Sequence, residues 1–345
     1  MRILILNDLH HKNNDFFINY QVNFLKGITS LLKKKDIDNI FILGDIMDNK
    51  FLLDINVMNT FRDIYSEMSK YVKQILVSCG NHDTYFNNKN NVNPLYTLFI
   101  SENNKIIIDE AFKLENCVIV PWINESNTNI ITDFVSKNNN ENNYLFGHFE
   151  LSGFKLNSVG SIISKHSQIF RTDYDKYKKV FSGHFHSKQD KNNVIYTGAP
   201  YQLNFGELDE KGIHILDTKT NEIEFIKNKK DIFRKIYIDD ENDVDKLRGI
   251  KDKIVKVYVN INDIEFINNI DIEIEKNKPE KFELIVKEIE IEEKENDDKI
   301  NNINEDLNNK FLESLIYDDE KEKKIISEIF NKTLKIVKEF GEDYE

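Results

Sequence analysis

The chain has 345 residues, 60 acidic against 47 basic side chains for a net charge of −13, and 40% hydrophobic content. That length suggests two domains, or one large domain with an appendage, and the apolar fraction can fill a core, which excludes wholesale disorder. No run approaches the ~18–20 apolar residues that span a bilayer, and Met1-Arg2 leads straight into Ile-Leu-Ile-Leu without a secretory pattern. Cys79 and Cys117 alone allow neither a disulfide framework nor a four-thiolate zinc site, so the chain reads as soluble, cytoplasmic and without a membrane partner.

In chain order, residues 2–7 read as a buried strand, and Asp15 is placed to cap a helix reaching about residue 35, with Phe24, Ile28, Leu31 and Leu32 at helical spacing. A strand at 40–43, a helix near 56–72 and a strand at 74–78 follow. Further strands are expected at 117–121, 144–146, 179–182, 194–197 and 212–217. Strands interleaved with helices indicate a layered α/β fold. Past residue 228, strand-like runs at 254–260 and 281–291 flank a charged, partly amphipathic connection at 263–278, which reads as a small α+β module over 229–291. Residues 292–305 are almost wholly polar and read as a linker. In 306–345, Leu307, Phe311, Leu312 and Leu315 make one helical stripe, and Ile326, Ile329, Phe330, Leu334, Val337 and Phe340 a second. Residues 281–345 carry 20 acidic and 11 basic side chains, which argues against direct contact of this region with DNA.

Five of the eight histidines stand in compact polar motifs directly after expected strands. These are Asp8-Leu9-His10, Gly44-Asp45-Ile46-Met47-Asp48, Gly80-Asn81-His82-Asp83, Gly147-His148 and Gly183-His184-Phe185-His186. Four begin with glycine, which permits a tight turn. On an extended segment, side chains two residues apart point the same way, so Asp8 with His10, and His184 with His186, could each clamp an ion from one side. Asp45 could bridge two ions through its two oxygens. Imidazole, carboxylate and amide together suit Mn²⁺, Fe²⁺ or Zn²⁺ better than Ca²⁺. Two such ions ~3.5–4 Å apart are a catalyst for displacement at phosphorus.

In series, these motifs resemble the calcineurin-like metallophosphoesterase superfamily over about residues 1–228. The runs from Gly147-His148-Phe149-Glu150 to Gly198-Ala199-Pro200 are similar to the SbcD-type nucleases, above all their phage recombination endonuclease subunits. The resemblance implies a four-layer α/β/β/α sandwich with a DNA-capping α+β module and a C-terminal helical tail that grips the coiled coil of an SbcC-type ATPase. It implies one metal ion on Asp8, His10, Asp45 and His186, and a second on Asp45, Asn81, His148 and His184, manganese being the family's usual metal. His82 would face the substrate phosphate, with Asp83 orienting its ring. Asp48 departs from the common cellular pattern, which has a second catalytic histidine there; it would orient His82 or act behind the ligands. A homodimer through helices near 56–72 and 94–101 is also implied.

The activity expected is metal-dependent hydrolysis of DNA, both exonuclease and single-strand or hairpin endonuclease, as the catalytic half of a recombination and double-strand-break repair complex. The acidic chain makes bound cations or a partner the source of attraction for DNA. Two other readings stand beside it: a phosphoesterase acting on phosphoprotein or small nucleotides, and a catalytically inactive scaffold that binds protein. Only Ala111 and Ala199 are alanine while Ile, Asn and Lys abound, which fits an AT-rich genome and, with the phage-like motifs, a host bacterial cytoplasm. His11, His166 and His214 read as surface or structural, Cys79 and Cys117 as buried thiols, and Trp122 and Tyr201 as core, with base stacking as their alternative use.

Overall fold

Isoleucine-rich runs bounded by Gly, Asn and Asp make the strands, and amphipathic stretches with polar caps make the helices between them. The computed structural model describes residues 1–99, 104–155, 169, 171–207, 209–260 and 264–286. The expected linker at 292–305, the helical segment 306–345, the last residues of the 281–291 strand, and His166 lie outside the described residues. Met1–Lys287 forms one compact unit. No helix among the described residues is long and apolar enough to cross a membrane.

The first half runs β1 (Arg2–Leu6), α1 (Asp15–Leu32), β2 (Asn39–Leu43), α2 (Ile55–Ser69), β3 (Gln74–Ser78), the single turn α3 (Leu95–Leu98) and β4 (Lys105–Ile108). It continues with β5 (Phe112–Leu114), β6 (Cys117–Ile119), α4 (Thr128–Lys137), β7 (Tyr144–His148), the short α5 (Arg171–Tyr174), β8 (Lys179–Gly183), β9 (Gln189–Lys191), β10 (Val194–Tyr196), β11 (Gly212–Asp217) and β12 (Ile223–Lys227). One six-stranded sheet has the order β12-β11-β1-β2-β3-β4, the other β5-β6-β7-β8-β10-β9. Strands β1 to β4 are mutually parallel, as are β6, β7, β8 and β10, so the loops that follow them open on a shared edge.

Three cores separate four layers. Ile3, Ile5, Phe41, Leu43, Phe146 and Phe181 fill the space between the sheets. Leu4, Leu6, Ile40 and Ile42 face the other way, onto Leu25, Ile28 and Leu32 of α1 and Phe61, Tyr65 and Met68 of α2. Leu145, Val180 and Tyr196 pack on Ile131 and Val135 of α4. Strict alternation along β1 and β2 thus feeds two cores at once, as strands buried on both faces require. Helix α1 is capped by Asn14, whose side chain accepts from the N–H groups of Phe16 and Phe17; Asp15, expected as the cap, is instead its first residue.

Past β12 the chain forms a three-stranded parallel sheet of β13 (Phe233–Ile238), β14 (Ile254–Val259) and β15 (Lys281–Val286), with a 3₁₀ segment Glu241–Leu247 and helix α6 (Ile264–Lys276). Ile236, Ile238, Val255, Val257, Val259, Ile270 and Ile274 make its core. Gln202 Oε1 accepts from the N–H groups of Ile232 and Phe233 at 2.9 and 3.0 Å, which ties the module's first strand to the loop after β10.

His214 on β11 is a structural histidine. It is 3% exposed against the ring of Phe225, with no hydrogen-bond partner at Nδ1. Burial is the main cause that lowers its pKa from 6.5 to about 4. The unfolded chain therefore binds the proton first as pH falls, so stability present above pH 6.5 is lost between about 6.5 and 4, by about 3 kcal/mol at the lower limit. Urea unfolding of His214→Leu across that range is expected to give a flatter acid-side profile than the wild-type chain.

Candidate metal centre

The loops after β1, β2, β3, β7 and β8 converge at one edge of the sandwich. Their turns are set by left-handed backbone rather than by extended segments: φ is 48° at Asp8, 43° at His10, 51° at Asp45 and 88° at His184. The expectation that Asp8 and His10, or His184 and His186, point together by strand alternation therefore fails. Asp8 and His10 share a cluster because the chain curls between them, and His184 and His186 diverge into different ones. One cluster joins Asp8, His10 and His186; the other joins Asp45, His148 and His184.

Backbone bonds lock the loops in place. Asp8 N–H donates to the Gly44 carbonyl at 3.1 Å and His10 N–H to that of Asp45 at 3.0 Å. Three glycines let the loops touch. A Cβ added at Gly80 would lie 2.2 Å from Asp45 Oδ1, one at Gly44 would lie 2.6 Å from His148 Nδ1, and one at Gly183 would lie 2.6 Å from the Leu43 carbonyl. Gly44 also has φ 90°, which disfavours any side chain.

Asp45 stands between the clusters. Its Oδ2 is 3.3 Å from His148 Nε2 and 3.7 Å from His10 Nε2, while Oδ1 accepts the His82 N–H at 2.8 Å. Asn81 Oδ1 lies 3.0 Å from His148 Nε2 and 3.1 Å from His184 Nδ1. His10 and His186 bring their Nε2 atoms within 3.2 Å of each other. Two ring nitrogens are oriented from behind: His148 Nδ1–H donates to the Leu43 carbonyl at 2.7 Å, and His186 Nδ1–H to Glu207 at 2.8 Å. Each leaves Nε2 as the lone-pair face.

The electrostatics favour a cation. Asp8 and Asp45 are 0% and 2% exposed, and neither has a lysine or arginine partner among the described residues. Burial pushes Asp8 above the usual carboxylate range, although His148 and His186 oppose it. Burial lowers His184 to about 3, with His148 adding to it, which keeps that ring neutral and able to ligate. On His148 burial is outweighed by Asp45, and the pKa rises to about 9. A buried carboxylate pair with imidazole nitrogens turned toward it is the donor set a pair of divalent ions would complete.

The remaining expected residues fall around this centre. His82 is exposed, its ring edge-on to His10 at 4.9 Å, with Nδ1 3.3 Å from the Asp48 carbonyl oxygen. The Asp48 carboxylate faces His10 Nδ1 at 3.7 Å. Asp83, expected to orient His82, is fully buried and turned away: it accepts from the N–H groups of Ile46, Met47 and Gly80 at 2.9, 3.1 and 2.9 Å. It stitches the Asp45 loop to the Asn81 loop.

Sequence reasoning missed Glu207, whose second oxygen meets Lys211 Nζ at 3.1 Å while Lys211 also donates to the His186 carbonyl at 2.7 Å. The i,i+4 spacing of Glu207 and Lys211 was the available signal. His11 is buried, stacked on Phe61 at 3.5 Å and bonded to Tyr65 Oη at 2.8 Å. Tyr201 is core, and Cys79 and Cys117 are buried thiols raised by burial, Cys117 to about 12.

Residues 1–188 match the calcineurin-like phosphoesterase family. The chain belongs to that family. It is 28% identical over 245 residues to exonuclease subunit 1 of Enterobacteria phage T4, covering 69% of this chain and 70% of the phage protein. It is 26% identical over 234 residues to putative phosphoesterase 078R of Invertebrate iridescent virus 3, covering 65% of this chain and 64% of the viral one. Among solved structures, a Pseudomonas putida nuclease MPE is similar at 13% identity and a TM-score of 0.31, over 65% of this chain and 87% of that one. Phosphoesterases of this family use divalent metals, and the two ligand clusters are candidates to hold them.

Proposed function

We propose that this phosphoesterase is a metal-dependent DNA nuclease. The observation that carries the reading is the convergence of two ligand clusters on Asp45, with exposed His82 fixed beside them through its N–H to Asp45 Oδ1. The similarity to a phage exonuclease subunit supports DNA as the substrate. Asp8, His10, Asp45 and His186 would hold one ion, and Asp45, Asn81, His148 and His184 the other, with manganese the metal proposed. Such ions supply Lewis-acid charge that lowers the pKa of water and offsets charge on a phosphodiester.

The chain's own groups do the positioning. Leu43 and Glu207 aim the rings of His148 and His186. Asp45 holds the backbone of His82, and the Asp48 carbonyl takes the Nδ1 side of its exposed ring, which leaves Nε2 as the atom to meet a phosphate or a leaving oxygen. On this reading the protein works in a nuclease–ATPase complex of the SbcCD type, with residues 306–345 contacting the ATPase and a second copy meeting the helix 56–72.

The purified chain is to be assayed on labelled linear duplex and on bis-p-nitrophenyl phosphate with Mn²⁺, Mg²⁺ or EDTA. The expected result is Mn²⁺-dependent cleavage of both, lost in EDTA, and reduced about 10²–10⁴-fold by His82→Ala. Cleavage of the ester alone, even with an SbcC-type ATPase added, would sink DNA as the substrate.

A further inference from the structure

Beside the second ligand cluster lies a cavity of about 560 Å³. Asn81, whose Oδ1 lies 3.0 and 3.1 Å from ring nitrogens of His148 and His184, lines it, and the rest of the lining includes Lys50, Asn87, Asn88, Trp122 and Asn124. Trp122 is half-buried, its ring tilted against His184 at 5.3 Å and edge-on to His148 at 5.7 Å. Its backbone is held rigidly: the N–H donates to the Cys79 carbonyl at 2.8 Å, and its own carbonyl accepts from Asn90 and Asn127 at 2.8 and 3.0 Å. Asn124 is fixed in turn by donating to Asn90 at 2.9 Å.

We infer that this cavity binds the unpaired base of a nucleotide flanking the scissile phosphate, stacked on Trp122 and read by the asparagine amides. The inference rests on the nuclease reading above and names its substrate class. The lining argues for a base over a phosphate, because one cation, Lys50, is matched by one carboxylate, Glu125, leaving the cavity close to neutral. An aromatic face with amide donors and acceptors around it suits a flat, uncharged ring with polar edges. The volume has room for a nucleoside, and a base reaches such a recess by leaving the duplex stack. The substrate is therefore a single strand or a frayed end.

Trp122 is the chain's only tryptophan, so its fluorescence reports this cavity alone. His82→Ala protein with Mg²⁺ is to be titrated with a ten-residue thymidylate strand and with a strand of ten abasic sites. Saturable change with the first and none with the second is expected. In the active protein with Mn²⁺, Trp122→Leu should raise KM for the thymidylate strand about tenfold with kcat little changed, and Trp122→Phe should restore it. KM for the abasic strand should not move. Equal fluorescence response to both strands, no response to either while both are cleaved, or a fall in kcat on both would overturn the base site and leave the nuclease intact. Hydrolysis of bis-p-nitrophenyl phosphate with neither strand bound nor cut would instead remove the nuclease reading, and the base site with it.

Discussion

Asp45→Asn is expected to lower kcat on any phosphodiester by about 10³-fold or more, some 4 kcal/mol of transition-state stabilisation. The substitution keeps the shape and the acceptor that meets the His82 N–H, but removes the charge that lies 3.3 Å from His148 and 3.7 Å from His10. Its carboxylate faces a histidine of each ligand cluster while accepting the His82 N–H. Calorimetric titration with Mn²⁺ checks the cause as well as the effect. The wild-type chain should bind two ions per chain and the variant one or none. A variant that still binds two ions and still turns over would refute the bridging role.

Gly44→Ala is the second large effect, and it acts on the fold as well as the site. The new methyl would meet His148 Nδ1 at 2.6 Å and the Gly80 backbone at 2.7 Å, at φ 90° where alanine is already strained. Relief requires the loops after β2, β3 and β7 to separate. A loss of about 3 kcal/mol or more in stability is expected, with hydrolysis falling alongside. Gly27→Ala makes the control. That glycine lies inside α1 with nothing within 4 Å of an added Cβ, so alanine there should stabilise the chain by about 0.5–1 kcal/mol. Thermal melts of the two variants should move in opposite directions.

The strands that carry the motifs were legible because each is a short apolar run ending at Gly, Asp or Asn, and β3 and β11 begin and end where the pattern places them. Less visible were strands whose residues do not alternate cleanly. Phe233–Ile238 reads Phe-Arg-Lys-Ile-Tyr-Ile, with two adjacent charges, and only its parallel pairing with β14 makes it a strand. Lys105–Ile108 and Ile223–Lys227 lie toward the edges of their sheet and escape for a similar reason. Helix α4 has just Ile131 and Val135 buried, too thin a stripe to stand out.

At the site, residue types were legible and directions were not. Asp83 stands next to His82 in sequence, yet its carboxylate satisfies three N–H groups of two neighbouring loops, a demand only the folded loops create. Glu207 reaches His186 across a separation of 21 in the sequence. His184 and His186 part company because a left-handed residue breaks the alternation that a strand would impose.

Four of the proposed ligands, Asp8, His10, Asp45 and His184, sit where the backbone is left-handed. Aspartate and histidine tolerate that region better than most residues, yet each still costs roughly 1 kcal/mol against glycine. Selection for stability alone would drive these positions toward glycine or asparagine, and each step would be a gain in robustness and a loss in chemistry. A lineage released from catalysis would take those steps early, since they are single substitutions with an immediate benefit. The four side chains in this sequence bring their donor atoms to the ligand clusters from a backbone that the fold alone would give to glycine.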